Sequence, residues 1–203
     1  MDQATISNGD RLWTVILAAG SSSRLGYPKQ LLRVRGQSLL QRSTALAQRM
    51  TGARVVVVIG ARAQRLRSHL RRNAGNVRIV LNNRWHHGMG TSLATGIGAL
   101  PKRARGALIL LCDQPDISAA KLARLIRRWR RQPSTIVAAG YGDTLGVPAV
   151  FPRSAFAMLR TLSEDTGARA LLNDSASPFR KFAIALPEAR NDIDTPADTQ
   201  RRR

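Results

Sequence analysis

The sequence predicts an α/β fold with a doubly wound, mostly parallel sheet. Three observations carry that prediction. Apolar runs of strand length alternate with helical patterns through residues 13–139. The run Val55-Val56-Val57-Val58-Ile59 is apolar at every position, as a strand covered on both faces requires. An earlier run, Val15-Ile16-Leu17, passes directly into Ala18-Ala19-Gly20-Ser21-Ser22-Ser23, small residues suited to a turn at the carboxyl end of a strand.

Taken in order, strands are expected at 13–18, 54–60, 77–81, 107–112 and 135–139. Helices are expected between them at 38–50, 61–72, 91–100 and 118–131. In the last of these, Leu122, Leu125, Ile126 and Trp129 form one apolar stripe, and Ser118 stands where a cap belongs. After Gly140 the rhythm changes. Residues 140–146 are turn-rich, and 147–151 read as a short strand. Helical patterns follow at 154–162 and 167–172, a late strand at 182–185, and a closing segment at 192–200. No repeat or linker interrupts the chain, so residues 1–203 are expected to form one domain with a C-terminal accessory portion.

Composition excludes some classes. Lys and Arg total 33 against 12 Asp and Glu, a formal charge of +21. Such a field gathers polyanions. The Arg excess is scattered, however, with clusters only at 127–131 and 201–203, and aromatic residues make up 4%. A base-stacking platform lacks material, so a nucleic-acid partner is not expected. No apolar run has the length of a membrane span, and the N-terminus lacks the pattern of a signal peptide. The single cysteine cannot form an internal disulfide. A soluble, cytoplasmic protein is expected.

Four constellations could carry chemistry. The first is the small-residue loop, where unobstructed amides could face phosphates and Arg24 and Lys29 supply cations. It is neither a Walker A sequence nor a full G-x-G-x-x-G, and a plain strand-to-helix turn fits it too. The second is the segment from Leu108 to Pro115. There Asp113 follows an apolar strand and could hold a hard cation, or serve with Asp116 as a turn residue. Cys112 reads as a buried strand residue rather than a nucleophile. The third runs from Gly88 to Gly96, where Thr91 or Ser92 could cap a helix or face a nucleotide. The adjacent His86 and His87 lack further ligands at metal spacing, so zinc is not expected. The fourth runs from Asn191 to Asp198. Asp192 and Asp194 could face one side as metal ligands, while Asp194 or Thr195 could also cap a helix with Pro196 at its first position.

In this order the motifs resemble the MobA/MocA-like nucleotidyltransferases, and most closely the molybdenum cofactor cytidylyltransferases among them. The matching segments are LAAGSSSRLGYPKQLL at 17–32, HGMGTSLATGIGAL at 87–100, LCDQP at 111–115, GVPAVFPRSAFAMLRTLSEDTGARALL at 146–172 and DIDTPAD at 192–198. The resemblance implies a Rossmann-like, GT-A-like nucleotidyltransferase fold, a three-layer α/β/α arrangement. It implies a nucleotide-binding part at about 12–140 and an acceptor-side part at about 141–203. The implied reaction is attack of the terminal phosphate of molybdopterin on the α-phosphorus of CTP, with Mg²⁺ as cofactor and pyrophosphate released. Leu17, Ala18, Ala19, Gly20, Ser22, Arg24, Lys29, Gly60, Thr91 and Ser92 are implied as nucleotide-binding residues. Arg24, Lys29 and Asp113 are implied as catalytic, and Asp113 with Asp192 or Asp194 as metal ligands. An apo molybdenum hydroxylase similar to xanthine dehydrogenase is the implied protein partner.

The Ala18-Ala19-Gly20 triplet matches the pattern that accompanies cytidine transfer, whereas a Gly-Gly variant accompanies guanosine transfer. Transfer from GTP or UTP, a sugar-phosphate acceptor, and a non-catalytic molybdopterin chaperone are the alternatives. Leu25 stands where the family has Met, and Ser163-Glu164-Asp165 where it commonly has Gly-Asp. These departures, with the Arg excess, bear on the acceptor rather than on the metal or phosphate ligands.

Overall fold

The computed structural model describes residues 11–163, 167–193 and 198, apart from the side chains of Arg24 and Ala170. Its centre is a seven-stranded sheet. The strands are β1 (Leu12–Ala18), β4 (Val55–Ile59), β5 (Arg78–Leu81), β6 (Gly106–Leu111), β7 (Ile136–Tyr141), β8 (Thr144–Pro152) and β9 (Lys181–Ala185). They lie in the order β5-β4-β1-β6-β8-β7-β9. The pairs β4–β5, β1–β4, β1–β6 and β7–β9 are parallel, and β8 runs antiparallel to both β6 and β7.

The burial of β1 and β4 follows from composition. All five residues of β4 are completely buried, and Val15 and Ile16 of β1 likewise. Both strands are flanked on each side in the sheet and covered on both faces. On one face lie α1 (Leu39–Thr51), α2 (Ala63–Asn73) and α4 (Ala119–Arg131), which close a core around Ile16, Val57, Leu66 and Trp129. On the other lie α3 (Met89–Gly98), α5 (Phe156–Arg160) and α6 (Ala168–Asn173), around Val15, Val58, Leu93 and Phe151. Three layers result. The four-residue stripe read from α4 is buried throughout, and the Ser118 side chain accepts from the Lys121 N–H.

The alternating part of the chain matches its expected elements to within about two residues, and two features were not anticipated. A small hairpin, β2 (Arg33–Val34) and β3 (Gln37–Ser38), precedes α1. Its two turn residues, Arg35 and Gly36, have φ of 51° and 80°, as a two-residue hairpin turn demands. Ser38 then closes a capping box with Gln41 at the start of α1. The turn-rich stretch after Gly140 is the tip of the β7–β8 hairpin, narrowed to Gly142 and Asp143. That hairpin inserts the antiparallel strand and so changes the rhythm. Most of the closing segment 192–200, with the cap reading at Asp194 or Thr195, lies outside the described residues. Among the described residues no helix is long and apolar enough to cross a membrane.

Candidate active site

The carboxyl ends of β4, β1 and β6 lie side by side in the middle of the sheet. Sequence after each end supplies one wall of a site. After β1 the chain forms the small-residue loop. Gly20, Ser21 and Ser23 are exposed. Ser22 adopts a left-handed conformation, φ 58° and ψ 38°, and the right-handed 3-10 turn Ser23–Leu25 follows it. A left-handed residue joined to right-handed ones turns consecutive amides to one side, a concave arrangement that favours anions. The amides of Ser21, Ser22 and Ser23 donate to no acceptor among the described residues. Leu17, Ala18 and Ala19 behind the loop are buried against the two cores.

Lys29 opens a second 3-10 turn, Lys29–Leu31. Its ammonium makes an ion pair with Asp113 Oδ2, the two side chains being 16% and 11% exposed. Asp113 follows β6, so this pair bridges the ends of β1 and β6. Its other oxygen, Oδ1, is buried and has no hydrogen-bond partner among the described residues. The Ile193 N–H donates to the Asp113 carbonyl at 3.1 Å, which brings Asp192 alongside. Both carboxylates act on Cys112. Burial first, and the Asp113 and Asp192 charges after it, push the thiol far up, which leaves it inert. Tyr141 is raised as well, by burial and then by Asp192.

Gln114 and Pro115 hold this turn. Gln114 Nε2 donates to Ala189 O at 2.7 Å and Val147 O at 3.2 Å, and an Arg42 guanidinium N–H donates to Pro115 O at 3.4 Å. Asp116 accepts from Asn191 Nδ2 at 3.1 Å. The donor set suits a hard divalent cation: a carboxylate with one buried oxygen free of hydrogen bonds and a second carboxylate held next to it by backbone. Asp113 and Asp192 are the residues that would hold it. Asp194 lies outside the described residues, as does the side chain of Arg24.

Behind β4, Gly60 makes room for Trp85. A Cβ at Gly60 would stand 2.5 Å from Trp85 Cβ and 2.9 Å from Ala19 Cβ. Trp85 therefore packs directly over the loop side of β4. The helix α3 starts at Met89 with Gly88 as its cap, so Thr91 and Ser92 are not caps but first-turn residues. Their hydroxyls are buried and receive both Asn82 Nδ2 hydrogens, at 2.9 and 3.0 Å. The Thr91 hydroxyl also lies within donating reach of Gly88 O and Arg84 O, at 2.8 and 2.9 Å. His86 and His87 share the 3-10 turn Trp85–His87, and no group of three or more metal-ligating side chains occurs among the described residues.

The structure thus gathers Gly20, Ser22, Lys29, Asp113 and Asp192 around the ends of β1 and β6, and Gly60, Thr91 and Ser92 at the β4 side. Sequence reasoning missed Gln30, Asn82, Trp85 and Gln114, polar or aromatic residues that hold the loops in place. Gln30 left one signal, a polar residue next to Leu31-Leu32 that has no partner near it in sequence.

Comparisons with known proteins agree with this arrangement. The model of the MobA-like NTP transferase domain matches residues 14–179. Nicotine blue oxidoreductase of Paenarthrobacter nicotinovorans is 36% identical, the match covering 89% of this chain and 91% of that protein. A probable molybdenum cofactor guanylyltransferase of Rhodopirellula baltica is 28% identical over 91% and 88%. The crystal structure of Rv0371c from Mycobacterium tuberculosis superposes with a TM-score of 0.76 and 30% identity, covering 93% of this chain and 96% of that one. A structure of Rv0371c in complex with manganese gives 0.73 and 28%, covering 94% and 96%. The fold is the α/β nucleotidyltransferase fold, and the chain belongs to the MobA-like NTP transferase family.

Proposed function

We propose that this protein transfers CMP from CTP to the terminal phosphate of molybdopterin and releases pyrophosphate. The observation that carries the reading is the Lys29–Asp113 pair beside the open amides of residues 21–23. Cations and amides for a triphosphate stand next to carboxylates for a divalent metal. The family match and the Ala18-Ala19-Gly20 triplet support it further.

The reaction needs no protein nucleophile. An oxygen of the acceptor phosphate forms a bond to the α-phosphorus, and the bond from that phosphorus to the bridging oxygen of pyrophosphate breaks. The chain's part is to hold two polyanions in line and to offset the charge that develops on the leaving group. In this reading the loop amides bind the triphosphate, Arg24 and Lys29 neutralise its oxygens, and Leu17, Ala18, Ala19, Gly60, Thr91 and Ser92 shape the nucleoside side. Asp113 with Asp192 or Asp194 would hold Mg²⁺, which supplies charge neutralisation and orientation of the phosphates. Residues from about 141 onward form the acceptor side within the same single domain, and an apo molybdenum hydroxylase receives the product.

One observation favours a second reading. The 36% identical relative is named an oxidoreductase, and amides that cradle a triphosphate also cradle the pyrophosphate of a redox dinucleotide. The test is pyrophosphate release from CTP, GTP and UTP, each with purified molybdopterin and Mg²⁺, for the parent and for Asp113→Ala. Release that is fastest with CTP and lost in the variant is expected. Preference for GTP overturns the cytidine assignment. No release with any triphosphate, together with oxidation of a reduced nicotinamide dinucleotide whose two electrons pass to an added dye acceptor, replaces the reading with the second.

A further inference from the structure

The side chain of Gln30 is 1% exposed, yet it belongs to no strand or helix of the core. Its amide nitrogen donates to Gly20 O at 2.8 Å and to Ala18 O at 3.1 Å. Both hydrogens of one NH₂ group are therefore spent on alternate carbonyls of the loop after β1. Its Oε1 stands 3.5 Å from Ser22 Oγ, and that same hydroxyl accepts the Lys29 N–H at 3.0 Å.

Geometry gives this knot a consequence. A peptide's carbonyl and the next residue's N–H point in opposite directions. Drawing the Gly20 carbonyl inward on Gln30 turns the Ser21 amide outward, to the exposed side of the loop, and the Ser22 hydroxyl beside Gln30 Oε1 holds the left-handed residue that follows. The amides of Ser21 to Ser23 have no acceptor there among the described residues. The Lys29 amide, tied to Ser22, fixes the root of the side chain that reaches Asp113.

We propose that Gln30 is the positioning residue of the nucleotide site: it pre-forms the amide cradle for the triphosphate and sets the direction of Lys29, without touching the ligand. This rests on the triphosphate reading of the loop. Only a side chain with two amide hydrogens and an acceptor can serve all three partners. A glutamate in its place would bring a carboxylate against two carbonyls, and a methionine would fill the space while leaving those carbonyls unpaired.

The test compares Gln30→Met, Gln30→Glu and Thr51→Val with the parent. Thr51 provides the control because its hydroxyl is buried against Thr14 Oγ1 at 2.8 Å, toward the amino end of β1, so its loss lowers stability without disturbing the cradle. Melting temperature, triphosphate binding by calorimetry, and KM and kcat for triphosphate and acceptor are measured. The expected result is a rise of about tenfold or more in the triphosphate Kd and KM for both Gln30 variants, with the acceptor KM within about twofold. Thr51→Val is expected to melt lower with triphosphate KM unchanged. Unchanged triphosphate binding in Gln30→Met overturns the proposal. So does a rise that Thr51→Val reproduces at equal loss of stability. A parent protein that binds no triphosphate overturns the function reading instead, which separates the two failures.

Discussion

Replacing Lys29 by Met tests the centre of the site. The substitution keeps much of the stem's volume and removes the ammonium. Asp113 Oδ2 then loses its ion-pair partner, while Oδ1 already has no hydrogen-bond partner among the described residues. A fully buried pair that loses one member costs about 3–5 kcal/mol. Here the side chains retain 16% and 11% exposure, so water recovers part of that. A cost of about 1–3 kcal/mol is the reasonable range. In a chain of 203 residues this corresponds to a fall of about 2–12 °C in melting temperature. The same carboxylate, freed of its internal cation, should welcome an external one. Millimolar Mn²⁺ or Mg²⁺ is therefore expected to raise the melting temperature of Lys29→Met more than that of the parent, and to leave Asp113→Asn unmoved. Differential scanning fluorimetry with and without metal reads all three. The reasoning fails if Lys29→Met melts with the parent, or if metal stabilises Asp113→Asn as much as Lys29→Met.

Two further outcomes follow from local geometry. Gly60→Ala places a methyl 2.5 Å from Trp85 Cβ, about 1 Å inside ordinary contact, so Trp85 or the loop must move. Overpacking of this kind costs about 1–3 kcal/mol. A lower melting temperature with a raised triphosphate KM is expected, and unchanged values of both would show that the wall tolerates displacement. His69 Nε2 lies 2.8 Å from the Ser38 hydroxyl that caps α1, and burial, then Arg72 and Arg33, hold its pKa below the ordinary 6.5. The unfolded chain then binds the proton more readily, so this contribution is fully present above pH 6.5 and declines as pH falls below it toward the folded value. Urea unfolding at several pH values should show that slope in the parent and a flatter one in His69→Gln.

The parts of the molecule legible in the sequence are those governed by local pattern. An unbroken Val-Ile run can be little other than a two-face-buried strand, and the α4 stripe with Ser118 before it dictates a capped helix. The loop after β1 and Asp113 after β6 were legible for the same reason, since each directly follows a recognisable strand. What was not legible depends on contacts distant in sequence. Nothing near Gln30 says that its amide will turn back to Ala18 and Gly20. Nothing in the segment of Thr91 and Ser92 says that Asn82 will occupy their hydroxyls, or that the helix starts at Met89 with Gly88 as its cap. The β2–β3 hairpin escaped because its strands are two residues long and its turn uses an Arg at positive φ, a choice with no compositional mark.

The distribution of acidic residues explains why the site is built across the chain. From Arg11 to Cys112 there is no Asp or Glu at all. The small-residue loop, Lys29, Gly60 and the α3 start therefore arise in a stretch that offers amides and cations but no carboxylate. Apart from Asp2 and Asp10, every carboxylate comes from later in the chain. Asp113 is the first carboxylate after Asp10, and it falls at the end of the strand next to β1. Asp192 reaches it through the Ile193–Asp113 hydrogen bond. A half that offers amides and cations and a half that carries carboxylates are thus separate in sequence and meet only when β6 and the segment around Ile193 have docked. This separation has a physical merit. Were a carboxylate placed within the loop itself, it would compete with any external anion for the same amides and for Lys29. Held on the neighbouring strand, Asp113 instead pairs with Lys29 across the ends of β1 and β6.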